Sequence, residues 1–174
     1  MRKALAALAV CVMAGCANTD GMAPTVSIAG YDQARVVNIS PHGLACDELP
    51  CLALGVEWSS AKPESAVLIV KRVGIDYAGI NRLSLKVDGK ETTLAARASG
   101  TEFAAGSPPM RESIQTFAAP MQLVRDLASG RQVLARVDSV RGYLDGAIMD
   151  GEKDSKAVHA LRRFLLAVDQ GGPK

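Results

Sequence analysis

Short runs in which apolar residues take every second position recur along the chain. They constrain its fold more than any other feature, because successive side chains of a strand point to opposite faces and a period of two marks one buried face. Leu52, Leu54, Val56 and Trp58 alternate with Ala53, Gly55, Glu57 and Ser59. Leu83, Leu85 and Val87 alternate with Ser84 and Lys86, and Val133, Ala135 and Val137 alternate with Gln132, Leu134 and Arg136. Asp88-Gly89 follows the second run and Glu91 to Leu94 returns. That sequence predicts a β-hairpin, since both central residues of a type I′ turn need positive φ and Asp-Gly suits them. Ala66 to Val73 is apolar at consecutive positions at first, as in a central strand buried on both sides. Thr25 to Ile28, Arg35 to Ile39 and Ser113 to Ala118 read as further strands, and Tyr143 to Ile148 can pair back on 133–137. Pro41 to Pro50 and Ser99 to Pro109 read as loops.

Two helices complete the pattern. Pro120 opens a short one, with Leu123, Val124 and Leu127 on one side and Gly130 as its stop. The other runs from about Asp154 to Asp169, capped by Asp154 or Ser155. Val158, Leu161, Leu165 and Val168 form its apolar face, Phe164 lies beside them, and His159, Arg162 and Arg163 lie opposite. The expected class is α+β: an antiparallel sheet or sandwich, a short mid-chain helix, and a C-terminal amphipathic helix on one face or edge. Strand order does not follow from these patterns.

The first residues carry a different signal. Arg2 and Lys3 precede an apolar run, Ala4 to Val12, which ends at Met13-Ala14-Gly15-Cys16. Charge, apolar run and small residues in that order are the layout of an export signal. The run is far short of the roughly 20 apolar residues a membrane-spanning helix needs. The Met13-Ala14-Gly15-Cys16 ending resembles the lipobox of bacterial lipoprotein precursors, with Met13 where Leu is most usual. The resemblance implies cleavage before Cys16, diacylation of its sulfur, and often acylation of the new amino terminus. The alternative is an ordinary secretory signal cut near Ala17, with Cys16 lost. On the first reading residues 1–15 are signal, 16–24 a lipidated tether and 25–174 a single α+β domain. Ala17 stands where lipoproteins of the enteric type kept at the inner membrane carry Asp. The resemblance therefore implies a lipid-anchored protein at the outer membrane, facing the periplasm.

Composition then excludes several partners. The chain has 20 Lys+Arg and 18 Asp+Glu. Loss of Arg2 and Lys3 leaves 18 against 18, so the domain is neutral and offers no electrostatic reason to bind nucleic acid or anionic lipid. Three Phe, three Tyr and one Trp supply a stacking platform poorly. Of the four cysteines, Cys11 leaves with the signal and Cys16 becomes the anchor. Cys46 and Cys51 remain as a pair in an oxidising compartment and are expected to form a local disulfide. So short a loop contributes about 2 kcal/mol by chain entropy.

Candidate chemistry is sparse. His42, Cys46, Asp47, Glu48 and Cys51 are the one grouping with loosely zinc-like spacing; a zinc ion there would need a fourth ligand, a carboxylate or one from elsewhere, and a disulfide between the two cysteines is the stronger expectation. The spacing of the two cysteines departs from the Cys-x-x-Cys form that tunes a thiol for redox work. A serine hydrolase would have to use His42 or His159, and no serine sits in a Gly-x-Ser-x-Gly elbow. Asp145-Gly146 and the 150–154 stretch resemble fragments of calcium loops without the twelve-residue spacing. No catalytic residue, cofactor or metal ligand is assigned. The expectation is a non-enzymatic envelope lipoprotein, a structural or binding module for another envelope protein. Its binding parts would be the loops 41–50 and 99–109 or an open sheet edge. The competing expectation is a metal-binding or hydrolytic protein built on His42 and the Cys46–Cys51 loop.

Overall fold

The computed structural model describes residues 22–46, 48–97, 100–151 and 153–170; the expected signal, the lipobox-like Met13-Ala14-Gly15-Cys16 and its Cys16 lie outside them. The described residues form β1 (Thr25–Ile28), β2 (Arg35–Gly43), β3 (Cys51–Ser59), β4 (Ser65–Gly74), β5 (Ile80–Val87) and β6 (Lys90–Ala95). They continue through β7 (Glu102–Ala105), β8 (Arg111–Pro120), α1 (Met121–Ser129), β9 (Gln132–Ser139), β10 (Gly142–Asp150), β11 (Lys153–Asp154) and α2 (Lys156–Asp169). One sheet has the order β1-β2-β3-β4-β8-β7 and the other β11-β10-β9-β5-β6. Neighbouring strands are antiparallel throughout. The class is α+β, as the alternation implied.

The two sheets share one core. Val37, Ile39, Val56, Leu68 and Phe117 of the first sheet and Leu83, Leu85, Val133, Val137 and Ile148 of the second are all buried in it. Both flanks are stitched by single bridges. The Ala45 N–H donates to the Ala147 carbonyl at 2.9 Å, and the Arg97 N–H donates to the Thr116 carbonyl at 2.8 Å beside the Ala96–Phe117 bridge. The helices contribute Leu123, Val124, Leu127, Val158, Leu161 and Phe164 to the same core. They are also held by polar contacts: Arg125 donates to both carboxylate oxygens of Asp169 at 2.7 and 3.1 Å. Arg35, the first residue of β2, donates to the Ala167 carbonyl at 2.6 Å, and Arg162 to the Ala128 carbonyl at 3.0 Å.

The predicted hairpin is present, with Asp88 at φ 47° and Gly89 at φ 90°. Asp88 also accepts from the Arg131 and Gln132 amides through one carboxylate oxygen, at 3.0 and 2.8 Å, which ties the hairpin tip to the start of β9.

Several expectations are corrected. Pro41, His42 and Gly43 belong to β2 and not to a loop; a register shift between Ile39 and His42 lets the strand absorb a proline that cannot donate to a regular ladder. The 99–109 stretch contains β7, an edge strand on β8. Ala53 and Gly55 are buried along with Leu52, Leu54 and Val56, so the first half of β3 is covered on both faces. A side chain at Gly55 would run into the Ile39 carbonyl and Pro41 nitrogen of the shifted β2, which is what covers that second face. β4 shows the reverse. It is central, but only Ala66, Leu68, Val70, Arg72 and Gly74 are buried, while Val67, Ile69, Lys71 and Val73 are half-buried. Ser155 sits at the N-cap of α2, yet its hydroxyl donates to the Ile148 carbonyl at 2.8 Å and accepts no hydrogen bond from the helix amides. Gly130 does end α1, as expected, and takes an extended conformation there. Met22, three residues before β1, is buried.

Candidate binding groove

The outer face of the second sheet carries side chains that alternate with its core positions. Ser84 and Lys86 of β5, Leu134 and Arg136 of β9, and Asp145 and Ala147 of β10 fall on this face by register. The 44–50 segment folds over it from the flank. Leu44 is buried against Gly146, where a Cβ would come within 2.9 Å of Leu44 Cδ2 and 3.2 Å of its Cβ. Only glycine lets the segment approach so closely. The Ala45–Ala147 hydrogen bond then fixes the segment to the part of β10 that β11 leaves unpaired. Cys46 and Cys51 are joined by a disulfide, Cα–Cα 5.9 Å, which returns the chain to β3. Between this clipped lip and the sheet lies a groove of about 550 Å³, lined by Cys46, Glu48 and Pro50 on the lip and by Lys86, Leu134, Arg136 and Asp145 on the floor.

Two of the floor's charges are committed to each other. Arg136 donates to both oxygens of Asp145 at 2.7 Å each, a fork-on-fork pair. Its guanidinium lies 4.5 Å from the centre of the Tyr143 ring. The hydrogen bond from Arg136 lowers the Asp145 carboxyl below its ordinary value, and the same bond raises Arg136. Both side chains remain about half exposed, so this is a fixed but solvent-facing pair. Ser84 and Thr93 hydroxyls meet at 3.1 Å on the same face. Lys86 and Glu91 stand opposite each other across the hairpin and both line the groove. Leu134 is 44% exposed among these polar groups, an apolar contact point in the floor.

The groove therefore offers an apolar spot, a preset ion pair and a cationic and an anionic arm, a surface suited to binding. The disulfide takes up both thiolates on which a zinc reading would depend. Among the described residues no three His, Cys, Asp or Glu side chains are grouped so as to hold a metal ion. His42 lies in β2 opposite Leu54 and does not line the groove. His159 on α2 pairs with Asp154 at 2.8 Å, and the neighbouring Ser155 hydroxyl is directed to a carbonyl, so this His–Asp pair has no serine nucleophile beside it there. The structure does not bring the two predicted binding loops together. The 44–50 segment forms the groove's lip, whereas the 99–109 stretch belongs to the far edge of the first sheet. Arg136, Asp145 and Lys86 were not singled out by sequence as binding residues. The available signal was Leu134, an apolar residue on the polar side of an alternating run.

The arrangement defines a two-sheet antiparallel sandwich closed by helices, with a disulfide-clipped groove on one outer face. Compared with protein-family models, curated proteins and solved structures, the chain matches none of them.

Proposed function

We propose that the protein is a cell-envelope lipoprotein, anchored through acylated Cys16 at the periplasmic face of the outer membrane, and that its domain is a non-catalytic binding module for another envelope protein. The observation that carries the binding role is the groove between the Cys46–Cys51 lip and the second sheet. It combines the Arg136–Asp145 pair with Lys86, Glu91 and the apolar Leu134, and among its lining residues no nucleophile, base and orienting group are set out for a reaction. The lipobox-like Met13-Ala14-Gly15-Cys16 supports the anchor. A short tether would hold the groove near membrane-held neighbours and raise its effective concentration there, which favours weak, specific contacts.

Two experiments test this reading. Cys16→Ser should release the protein from membranes or stall the precursor; a variant that still fractionates with membranes at normal size removes the anchor. A photo-crosslinking residue placed at Lys86 or Leu134 should capture a discrete envelope protein in intact cells, while one at Glu57 on the other sheet should not. Equal capture from all three positions, or a turnover activity abolished by His159→Ala alone, overturns the binding-module reading.

A further inference from the structure

The end of the sandwich away from the helices carries apolar side chains that the core does not use. Ile75, between β4 and β5, and Val140, in the β9–β10 turn, are 72% and 73% exposed, more than any other large aliphatic side chain among the described residues. Their two turns are fastened together. The Val140 N–H donates to the Gly79 carbonyl at 3.3 Å, and Arg141 lies 3.3 Å from Asp76, which also accepts from buried Arg72 at 2.8 Å. Beside them Tyr77 and Phe103 pack with ring centroids 5.2 Å apart, and both stay 40% or more exposed. Arg111 lies over the Tyr77 ring at 5.8 Å. A fixed rim with aliphatic tips and flanking aromatic and arginine side chains has the chemistry of a water–lipid boundary.

The path of the chain indicates what covers this rim. β1 is antiparallel to β2, with Thr25 opposite Asn38 and Ile28 opposite Arg35. The chain preceding β1 therefore comes from the strand end at which β2 finishes, β3 begins and β4 delivers Ile75. From Cys16 to Met22 is six residues, a reach of at most roughly 20 Å. An anchor on so short a lead holds this end of the domain to the bilayer and keeps the helix end away.

We infer that this rim rests on the bilayer that carries the anchor, with Ile75 and Val140 dipping into the headgroup–acyl boundary. The inference rests on the acylated Cys16 proposed above. Lys71 pairs with Glu112, and Arg72 and Arg141 both pair with Asp76, so these charges are largely taken up within the protein and the contact is apolar in character. It also sets the groove, on a side face of the sandwich, within reach of partners lying along the membrane.

Tryptophan scanning of the full lipidated protein in phosphatidylcholine vesicles tests it. Ile75→Trp, Val140→Trp and, as control on the exposed side of α2, Leu166→Trp are compared with acyl-brominated lipid as quencher. Native Trp58 is buried at the far end of β3 and supplies a constant background. Fluorescence from positions 75 and 140 should be quenched severalfold more than from 166, with little change on adding salt. Equal quenching at all three positions overturns the inference. The mass of the amino-terminal peptide from the same samples separates the two ideas. An acylated Cys16 with unquenched tryptophans at 75 and 140 removes the rim contact and leaves the anchor, whereas an unacylated chain removes both.

Discussion

The groove exists because Gly146 lets Leu44 lie against β10, and this contact can be measured. A Cβ at position 146 would meet Leu44 Cδ2 at 2.9 Å where ordinary contact begins at 3.4 Å, so Leu44 has to recede by about 0.5 Å. Leu44 is only 6% exposed and has little room to do so. Overpacking of this kind costs about 1–3 kcal/mol, offset by up to about 1 kcal/mol because replacing glycine restricts the unfolded chain. Gly146→Val should thus destabilise by about 1–2 kcal/mol. Leu44→Ala alone should cost about 2–4 kcal/mol through the lost burial and the space left behind. In the double variant the new side chain at 146 occupies part of the space that Leu44 vacates. The two changes should therefore be less than additive, by about 1–2 kcal/mol, the coupling expected of residues in contact. Urea unfolding of the four proteins, followed by Trp58 fluorescence, gives this coupling directly. Additivity to within about 0.5 kcal/mol would mean that Leu44 does not rest on Gly146, and the account of how the lip is held would fail. If the account holds, Gly146→Val should also weaken crosslinking from Leu134 under conditions where the protein stays folded.

The remaining predictions concern the frame around the groove. Phe164→Ala empties a fully buried site of α2 and should cost about 3–5 kcal/mol, whereas Leu166→Ala, 61% exposed on the same helix, should stay within about 0.5 kcal/mol of the parent by the same urea assay. The Asp169 carboxyl is held below its ordinary value of 3.8 by the hydrogen bond from Arg125. At pH values near and below 3.8 the unfolded chain binds the extra proton first, so the stabilisation is complete above that pH and fades as pH falls through the lower folded value. Asp169→Asn should flatten this part of the acid-unfolding profile, and an unchanged profile would show that the pair does not link the helices. Mass spectrometry of the mature protein should find Cys46 and Cys51 two hydrogens short of the dithiol. Reduction should lower stability by only about 2 kcal/mol; two free thiols after alkylation in the cell would refute the clip.

Much of the frame was legible because it is local. Period-two alternation at 83–87 and 133–137, the Asp88-Gly89 turn and the Pro120–Gly130 bracket act over a few residues, and all appear where the sequence put them. The Cys46–Cys51 bond was legible for a similar reason, since two cysteines five apart need little chain to meet. The helix stripe was legible too, although Leu165 is only partly buried.

The rest depended on partners distant in sequence. Alternation says that one face is buried but not which strand lies beside it. The split into β1-β2-β3-β4-β8-β7 and β11-β10-β9-β5-β6 follows from how two sheets twist and close over one core. Pro41 reads as a loop residue until β3 is placed beside it and a bulge accommodates the ring. Arg72 lies at the end of an apolar run, and it is buried where its guanidinium finds the Asp76 carbonyl and carboxylate within the closing turn. The groove is of the same kind. Leu134, Arg136 and Asp145 become its floor only when the 44–50 segment crosses from the other sheet to cover them, and no pattern confined to β9 and β10 records that crossing. The sequence by itself determined the Asp88-Gly89 hairpin, the buried faces of β5 and β9 and the apolar stripe of α2. Only the tertiary structure decided which outward face is covered, because covering requires segments some hundred residues apart to meet, and that contact is set by the packing of the whole core.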